Sequence, residues 1–439
     1  MKNIEWINHS GFIVDNNNTK LVCDPWFEGS VFNNGWDLLA KTKHDISIFN
    51  EIEYIWVSHE HPDHFDIQLL KKIEKKVRKK ITFIFQYTKD KRVIEFAKKL
   101  DFKTKELKIN EEFFLGKNFS ITNVGNYSHH DSASLIKIDD LKILNLNDCA
   151  INDSSQIEKL KKFVKKIDVL MMQFSYANWQ GDKNNLEKMK NIANEIKKSL
   201  IEKCNIFKPD FFFPFASFVY FSHEENFFQN YYSNNISEIC DEIKKKTSSK
   251  PIVLLPLEKW NFVYKDCENT ISYYSKLQKN IEIKRFTANE QKYKIDLLIS
   301  ESNNYLNRIK DKHSSKRAAY ALKKFSDYSK RNCNIYISDL KVSFYFDLKN
   351  GLIQNYKDQK ICDISLTSGN LFYLLKYDWG ADTLSINGRF EIKDLDSRKR
   401  VFSTFSLGMR LVTRKYLQAS YFEILVNFFK NKKLFKRFV

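Results

Sequence analysis

Three imidazoles and a carboxylate fall within six residues of this chain, in His59-Glu60-His61-Pro62-Asp63-His64. Such a cluster is a tight constraint, because metal-binding side chains must converge on one point and the backbone around them must be held rigidly. The lead-in Glu53-Tyr54-Ile55-Trp56-Val57-Ser58 reads as a short buried strand. After the cluster, Ile67, Leu69, Leu70, Ile73 and Val77 keep helical spacing. The cluster therefore belongs on the loop at a strand's carboxyl end, where α/β proteins place their ligands. Alternate residues of an extended segment share a face, so His59 and His61 can hold one metal ion. The turn at Pro62 carries Asp63 and His64 round toward a second.

Size and composition narrow the class. The 439 residues suffice for two domains, and 43% hydrophobic content with 15% aromatic residues is enough to build packed cores. No run of about 18 apolar residues occurs, so no membrane span is expected. The start, Met1-Lys2-Asn3-Ile4-Glu5-Trp6, lacks the apolar core of a signal peptide, which points to a cytoplasmic protein. The seven cysteines are scattered, with no Cys-x-x-Cys pair, and read as reduced thiols. The net charge of +19 comes from lysines spread along nearly every predicted helix. That spread describes a solvated surface with some pull on an anionic substrate, and no nucleic-acid module accompanies it.

The run His-x-His-x-Asp-His between a strand and a helix resembles the signature of the metallo-β-lactamase fold. The resemblance implies an α/β protein, an αββα sandwich, over residues 1–265, with a C-terminal α+β domain over 266–439. The opening fits: Ile4 to Val14, a polar turn at Asp15 to Asn18, then Leu21-Val22-Cys23-Asp24-Pro25. It is similar to lactonases and phospholipases D of that fold, which carry a His near the first turn and an Asp-Pro after the second strand. Asp24 then becomes the carboxylate expected to steady the metal-binding loop.

The rest of the implied ligand set follows the chain. Phe119 to Val124 is a strand running into Gly125-Asn126-Tyr127-Ser128-His129-His130-Asp131. One of the two histidines should complete the first metal's three imidazoles; His130 is preferred over His129 because it lies nearer the next strand. Leu141 to Asn147 is a buried strand that delivers Asp148. A carboxylate there suits the bridge between two ions. His223 is the histidine left in the right region to complete the second metal. The expected set is thus His59, His61, His130, Asp63, His64, Asp148 and His223 around two transition-metal ions, iron or zinc. Asp63 would also orient or deprotonate a water.

Beyond the strand expected at Ile252 to Pro256, Leu298 to Tyr328 reads as helix and Asn334 to Phe346 as strand. A turn at Lys349-Asn350-Gly351 leads to Leu352-Ile353-Gln354. A helix at Ser368 to Tyr377, followed by a strand at Thr383 to Phe390, resembles sterol-carrier-like domains. The C-terminal run from Tyr421 to Val439 has aromatic residues at helical spacing flanked by lysines. It is expected to dock on its own domain or a second copy, or to lie at a membrane surface.

The runs Tyr54 to Phe65, Ile143 to Cys149 and Trp379-Gly380-Ala381-Asp382-Thr383-Leu384-Ser385 look like the CMP-N-acetylneuraminate hydroxylase family. That likeness implies a di-iron site that oxidises a nucleotide-activated sugar. The hydroxylase also has a Rieske cluster held at Cys-x-His and Cys-x-x-His spacings, and neither spacing occurs here. An oxygenase built on this chain would need an external electron donor. The alternative is a zinc-dependent hydrolase of an ester or phosphodiester, of lactonase or phospholipase D type. A purely structural metal role is disfavoured, because structural zinc sites are closed and rich in cysteine.

Overall fold

The computed structural model describes residues 2–88, 90–128, 131–183, 185–283, 292–312 and 331–413. It divides into two compact units, Met1–Lys284 and Arg285–Val439. The helix Glu268–Lys279 belongs to the first unit, where Tyr274 is fully buried in the main core.

Two seven-stranded sheets form the first unit. One runs in the order Lys259–Trp260, Asn3–Asn8, Gly11–Asp15, Lys20–Cys23, Tyr54–Val57, Thr82–Gln86, Lys103–Leu107. The other runs Lys250–Pro251, Phe211–Phe215, Val169–Gln173, Leu141–Asn147, Asp131–Ile138, Phe119–Ser128, Glu112–Gly116. Period-two alternation explains the layering. Phe12, Val14 and Trp56 join Ile121, Leu135 and Phe213 of the other sheet in one buried cluster. Their neighbours Ile13, Ile55 and Val57 belong to a second cluster with Leu69, Leu70, Ile94 and Ala97 of the helices. A strand buried on both faces carries a continuous apolar run, as Tyr54–Val57 does.

The helix following the histidine cluster, Ile67–Lys72, is only six residues long, too short to persist by itself. Two features hold it. Asp66 caps its amino end by accepting from Gln68 N and Leu69 N, and burial of Leu69 and Leu70 contributes roughly 1.5–3 kcal/mol each.

Some expected elements differ. Ile252 to Pro256, expected as strand, is not strand; the short strand Lys250–Pro251 ends just before it. After Ile252 N bonds Phe212 O, Val253 N turns to the Cys267 sulfur at 3.4 Å and the ladder stops. The second unit has a five-stranded sheet flanked by helices. Its expected Asn334 to Phe346 strand is two, Asn332–Ile337 and Val342–Asp347, paired antiparallel. The turn between them has Lys341 at φ 55° with its N–H on Ile337 O. Ser338-Asp339 supplies the turn chemistry between the two strands.

The Thr383 to Phe390 segment, expected as strand, is largely the helix Gly380–Asn387. Gly388, at φ 65°, ends it in the left-handed conformation with its N–H on Leu384 O. Gly388 is the helix stop that the sequence offers at this point. The Leu298 to Tyr328 helix is present over Ile295–Lys312, and its remainder lies outside the described residues. So does the whole of Tyr421 to Val439. Among the described residues, no helix is long and apolar enough to cross a membrane.

Candidate metal centre

The centre starts from a buried carboxylate. Asp24 follows the Lys20–Cys23 strand, and its N–H donates to Trp56 O at 2.9 Å, which sets it beside the end of the Tyr54–Val57 strand. It is fully buried and accepts four hydrogen bonds. Ser58 N reaches Oδ1 at 2.8 Å; Ser58 Oγ, Asn147 Nδ2 and His64 Nδ1 reach Oδ2 at 2.7, 2.8 and 3.0 Å. Ser58 Oγ also lies 2.9 Å from His59 Nδ1 and 2.6 Å from Asn147 Nδ2. In the tautomers this network favours, His59 and His64 both commit Nδ1–H to the scaffold. Their Nε2 lone pairs are left facing the centre.

Ligand atoms gather in three overlapping groups: His59, His61 and Asp131; His59, His64 and Asp148; His9, Asp63 and His64. His59 Nε2 is 2.9 Å from His61 Nδ1, 3.7 Å from Asp131 Oδ1 and 3.8 Å from Asp148 Oδ2. His64 Nε2 is 3.3 Å from Asp63 Oδ2 and 3.4 Å from Asp148 Oδ2. Metal–ligand bonds of about 2.0–2.2 Å place two ligands of one ion roughly 3 Å apart, so these spacings suit transition-metal ions. The buried atoms His64 Nε2, Asp63 Oδ1 and Asp148 Oδ1 have no hydrogen-bond partner among the described residues. Orphaned acceptors inside a protein cost free energy unless something positive meets them. A cation is what this donor set fits.

The electrostatics agree. Burial opposes charge on His64, but Asp63 and Asp148 overcome it and hold the imidazole well above its usual range. Burial likewise opposes ionisation of Asp63 and Asp148, yet His64 keeps both below the ordinary carboxylate value, Asp63 well below. Burial lowers His59, and His64 lowers it further; burial and then His59 do the same to His61. Two neutral imidazoles thus sit beside carboxylates that draw positive charge, the state a metal requires of its ligands.

Of the expected ligands, His59, His61, Asp63, His64 and Asp148 come together. His130 and His129 lie outside the described residues. His223 is buried but joins none of the three groups. Its Nδ1 accepts from Glu225 N at 3.2 Å and faces the Glu225 carboxylate at 3.3 Å. Its loop is pinned to Gly35 by Ser222 N and Asn226 Nδ2. The same segment carries Phe32, whose ring lies edge-on to His61 at 5.8 Å.

Four further residues belong to the centre. His9 Nε2 lies 3.2 Å from Asp63 Oδ2, and the neighbouring Ser10 hydroxyl donates to Asp63 O. Ser58 and Asn147 complete the Asp24 network, and Asp131 stands near His59. Each adjoins a recognised residue or turn in sequence, which was the available signal. His9, Asp24 and Asn147 all take left-handed backbone, at φ 48°, 41° and 52°. Strain of that kind concentrates at functional sites.

A family model described as a β-lactamase superfamily domain matches residues 3–201. Among curated proteins, the chain is similar to one named as a Rieske 2Fe-2S iron-sulfur protein of Mycobacterium tuberculosis. It is 31% identical over 65 residues, which is 15% of this chain and only 13% of that protein. A structural likeness extends to CmlA, a diiron β-hydroxylase from Streptomyces venezuelae, at 10% identity and TM-score 0.41, covering 59% of this chain and 54% of CmlA. Another extends to Igni18, a metallo hydrolase from Ignicoccus hospitalis, at 11% identity and TM-score 0.41, covering 60% and 99%. Both structural overlaps are too loose to carry chemistry from either protein to this one. The family model matched by residues 3–201, the two packed sheets and the histidine loop at a strand end agree on a metallo-β-lactamase fold for this part of the chain.

Proposed function

We propose that this chain is a binuclear metal-dependent enzyme that oxidises an anionic, nucleotide-linked sugar or a related substrate at a di-iron centre. The observation that supports two ions is the place of Asp148. Its Oδ2 lies 3.8 Å from His59 Nε2 and 3.4 Å from His64 Nε2, so one carboxylate stands between imidazoles of both halves. When bound, irons would supply oxygen activation, and zincs would supply a hydroxide from water of lowered pKa.

The chain's own residues do the remainder. His59 and His61, with His130 as the proposed third imidazole, hold one side. Asp63 and His64, with His223 as the proposed partner, hold the other. Asp24, Ser58 and Asn147 keep the His59 and His64 rings from turning. In hydroxylation, one oxygen atom enters the substrate and the other leaves as water, with two electrons and two protons supplied from outside. An external electron donor is therefore the proposed partner. The excess of lysine favours an anionic substrate. Support for oxidation comes from the likeness of Tyr54 to Phe65, Ile143 to Cys149 and Trp379 to Ser385 to the CMP-N-acetylneuraminate hydroxylases.

The second reading is zinc-dependent hydrolysis of an ester or phosphodiester. What favours it is Asp63 Oδ1, buried and without a hydrogen-bond partner among the described residues, hence placed to orient a water by accepting its hydrogen bond. Incubating iron-loaded protein with CMP-N-acetylneuraminate, a reductant and O₂ separates the two. A product heavier by one oxygen supports hydroxylation, and cleavage without O₂ supports hydrolysis. If neither nucleotide sugars nor phosphodiesters react, the substrate class is wrong.

A further inference from the structure

We infer that Asp131, in place of the third imidazole proposed above, is an anionic ligand of the ion held by His59 and His61, giving that half of the centre two imidazoles and a carboxylate, a donor set suited to iron. The inference rests on the binuclear site proposed above and deepens it. Asp131 Oδ1 lies 3.7 Å from His59 Nε2, and the ligand atoms of His59, His61 and Asp131 all fall within 4.8 Å of one another. A modest inward shift of that carboxylate completes a shared coordination sphere.

The backbone is built to hold it there. Asp131 opens a strand that pairs with Phe119–Ser128, and the register slips between Asp131 and Ser132 and again between Ala133 and Ser134. Bulges of this kind re-aim side chains at the ends of sheets. The Ser132 hydroxyl donates to Ser58 O at 2.6 Å, tying the strand to the loop that carries His59. The Cys149 thiol donates to Asp131 O at 3.3 Å, tying it to the loop that carries Asp148. Asp131 is thereby clamped between both ligand loops, with a side chain only 16% exposed.

The chemistry has a consequence for metal choice. Two histidines and one carboxylate with open positions is the arrangement of non-haem iron oxygenases, whereas three imidazoles suit zinc. With Asp63 and Asp148, Asp131 brings three carboxylates to the two ions, and a harder, more anionic set favours iron.

The test is metal binding rather than turnover. Fe(II) and Zn(II) are titrated into wild type, Asp131→Asn and Asp131→His in the presence of a competing chelator. Asp131→Asn is expected to weaken one of two ions by more than about tenfold, the lower end of what even outer-sphere partners contribute, and to leave the other unmoved. Asp131→His is expected to keep two ions and shift preference toward zinc. Two ions bound by Asp131→Asn with wild-type affinities overturn the assignment. If the wild type itself binds fewer than two, the binuclear site fails, and Asp131 stands or falls on whether the remaining affinity drops in Asp131→Asn. Should the variants not fold, a structure of the iron-loaded wild type decides: a carboxylate oxygen of Asp131 about 2.0–2.2 Å from the ion supports the assignment, and one beyond about 3 Å refutes it.

Discussion

Replacing Asp24 with Asn keeps the shape of the side chain and removes its charge, so it isolates what that carboxylate does. The amide oxygen can still accept from Ser58 N, but its NH₂ group then faces Ser58 Oγ, Asn147 Nδ2 and His64 Nδ1, which all lie at 2.7–3.0 Å from the present oxygen. Ser58 can rotate its hydroxyl; Asn147 and His64 cannot escape so easily. Hydrogen bonds to a charged group contribute roughly 1.5–3 kcal/mol each, so losing two costs about 3–6 kcal/mol at this fully buried position. That is a large part of the 5–15 kcal/mol typical of a folded domain. Freed of its Nδ1 anchor, His64 should also bind metal about 10–100-fold more weakly. Urea denaturation in chelator measures the first quantity, and chelator competition the second. Ser58→Ala removes the hydroxyl's bond to Asp24 and strands the buried His59 Nδ1–H, a cost of about 2.5–6 kcal/mol, while Asp24 keeps the Asn147 and His64 contacts. An Asp24→Asn protein with wild-type stability and unaltered metal affinity would refute the claim that this network positions the ligands.

Asp148→Asn should lose the second ion first, since a neutral amide bridges poorly, and elemental analysis would then find about one ion per chain instead of two. His223→Ala should weaken the second ion if His223 is its ligand; unchanged affinity would leave His223 to its contact with Glu225. In the second unit, Gly380→Ala should lower the unfolding temperature, because its Cβ would lie 2.5 Å from Leu374 O, a backbone atom that cannot step aside. Such overpacking costs typically 1–3 kcal/mol, and thermal unfolding with metal content unchanged would show it.

The strand–loop–helix unit around His59 was legible because its local signals agree. Tyr54–Val57 is apolar throughout and ends where the histidines begin; the following residues change to helical spacing. Asp148 was legible for the same reason, lying just past the buried strand Leu141–Asn147. His9, Ser58, Asn147 and Asp131 were harder. Their importance comes from contacts between residues 34 to 123 positions apart, such as Ser58 with Asp24, His9 with Asp63 and Asp24 with Asn147, which no local pattern encodes. In the second unit, the few apolar residues of Thr383 to Phe390 fit a short helix as well as a strand. The stop at Gly388 and the close approach of Gly380 to Leu374 were the better guides.

The measurement that bears most directly on a binuclear centre is the transition-metal content of the purified chain after careful reconstitution. Two ions per chain are expected in the wild type, falling toward one in Asp148→Asn. One ion or none in the wild type, with Asp148→Asn no different, would contradict a carboxylate-bridged pair.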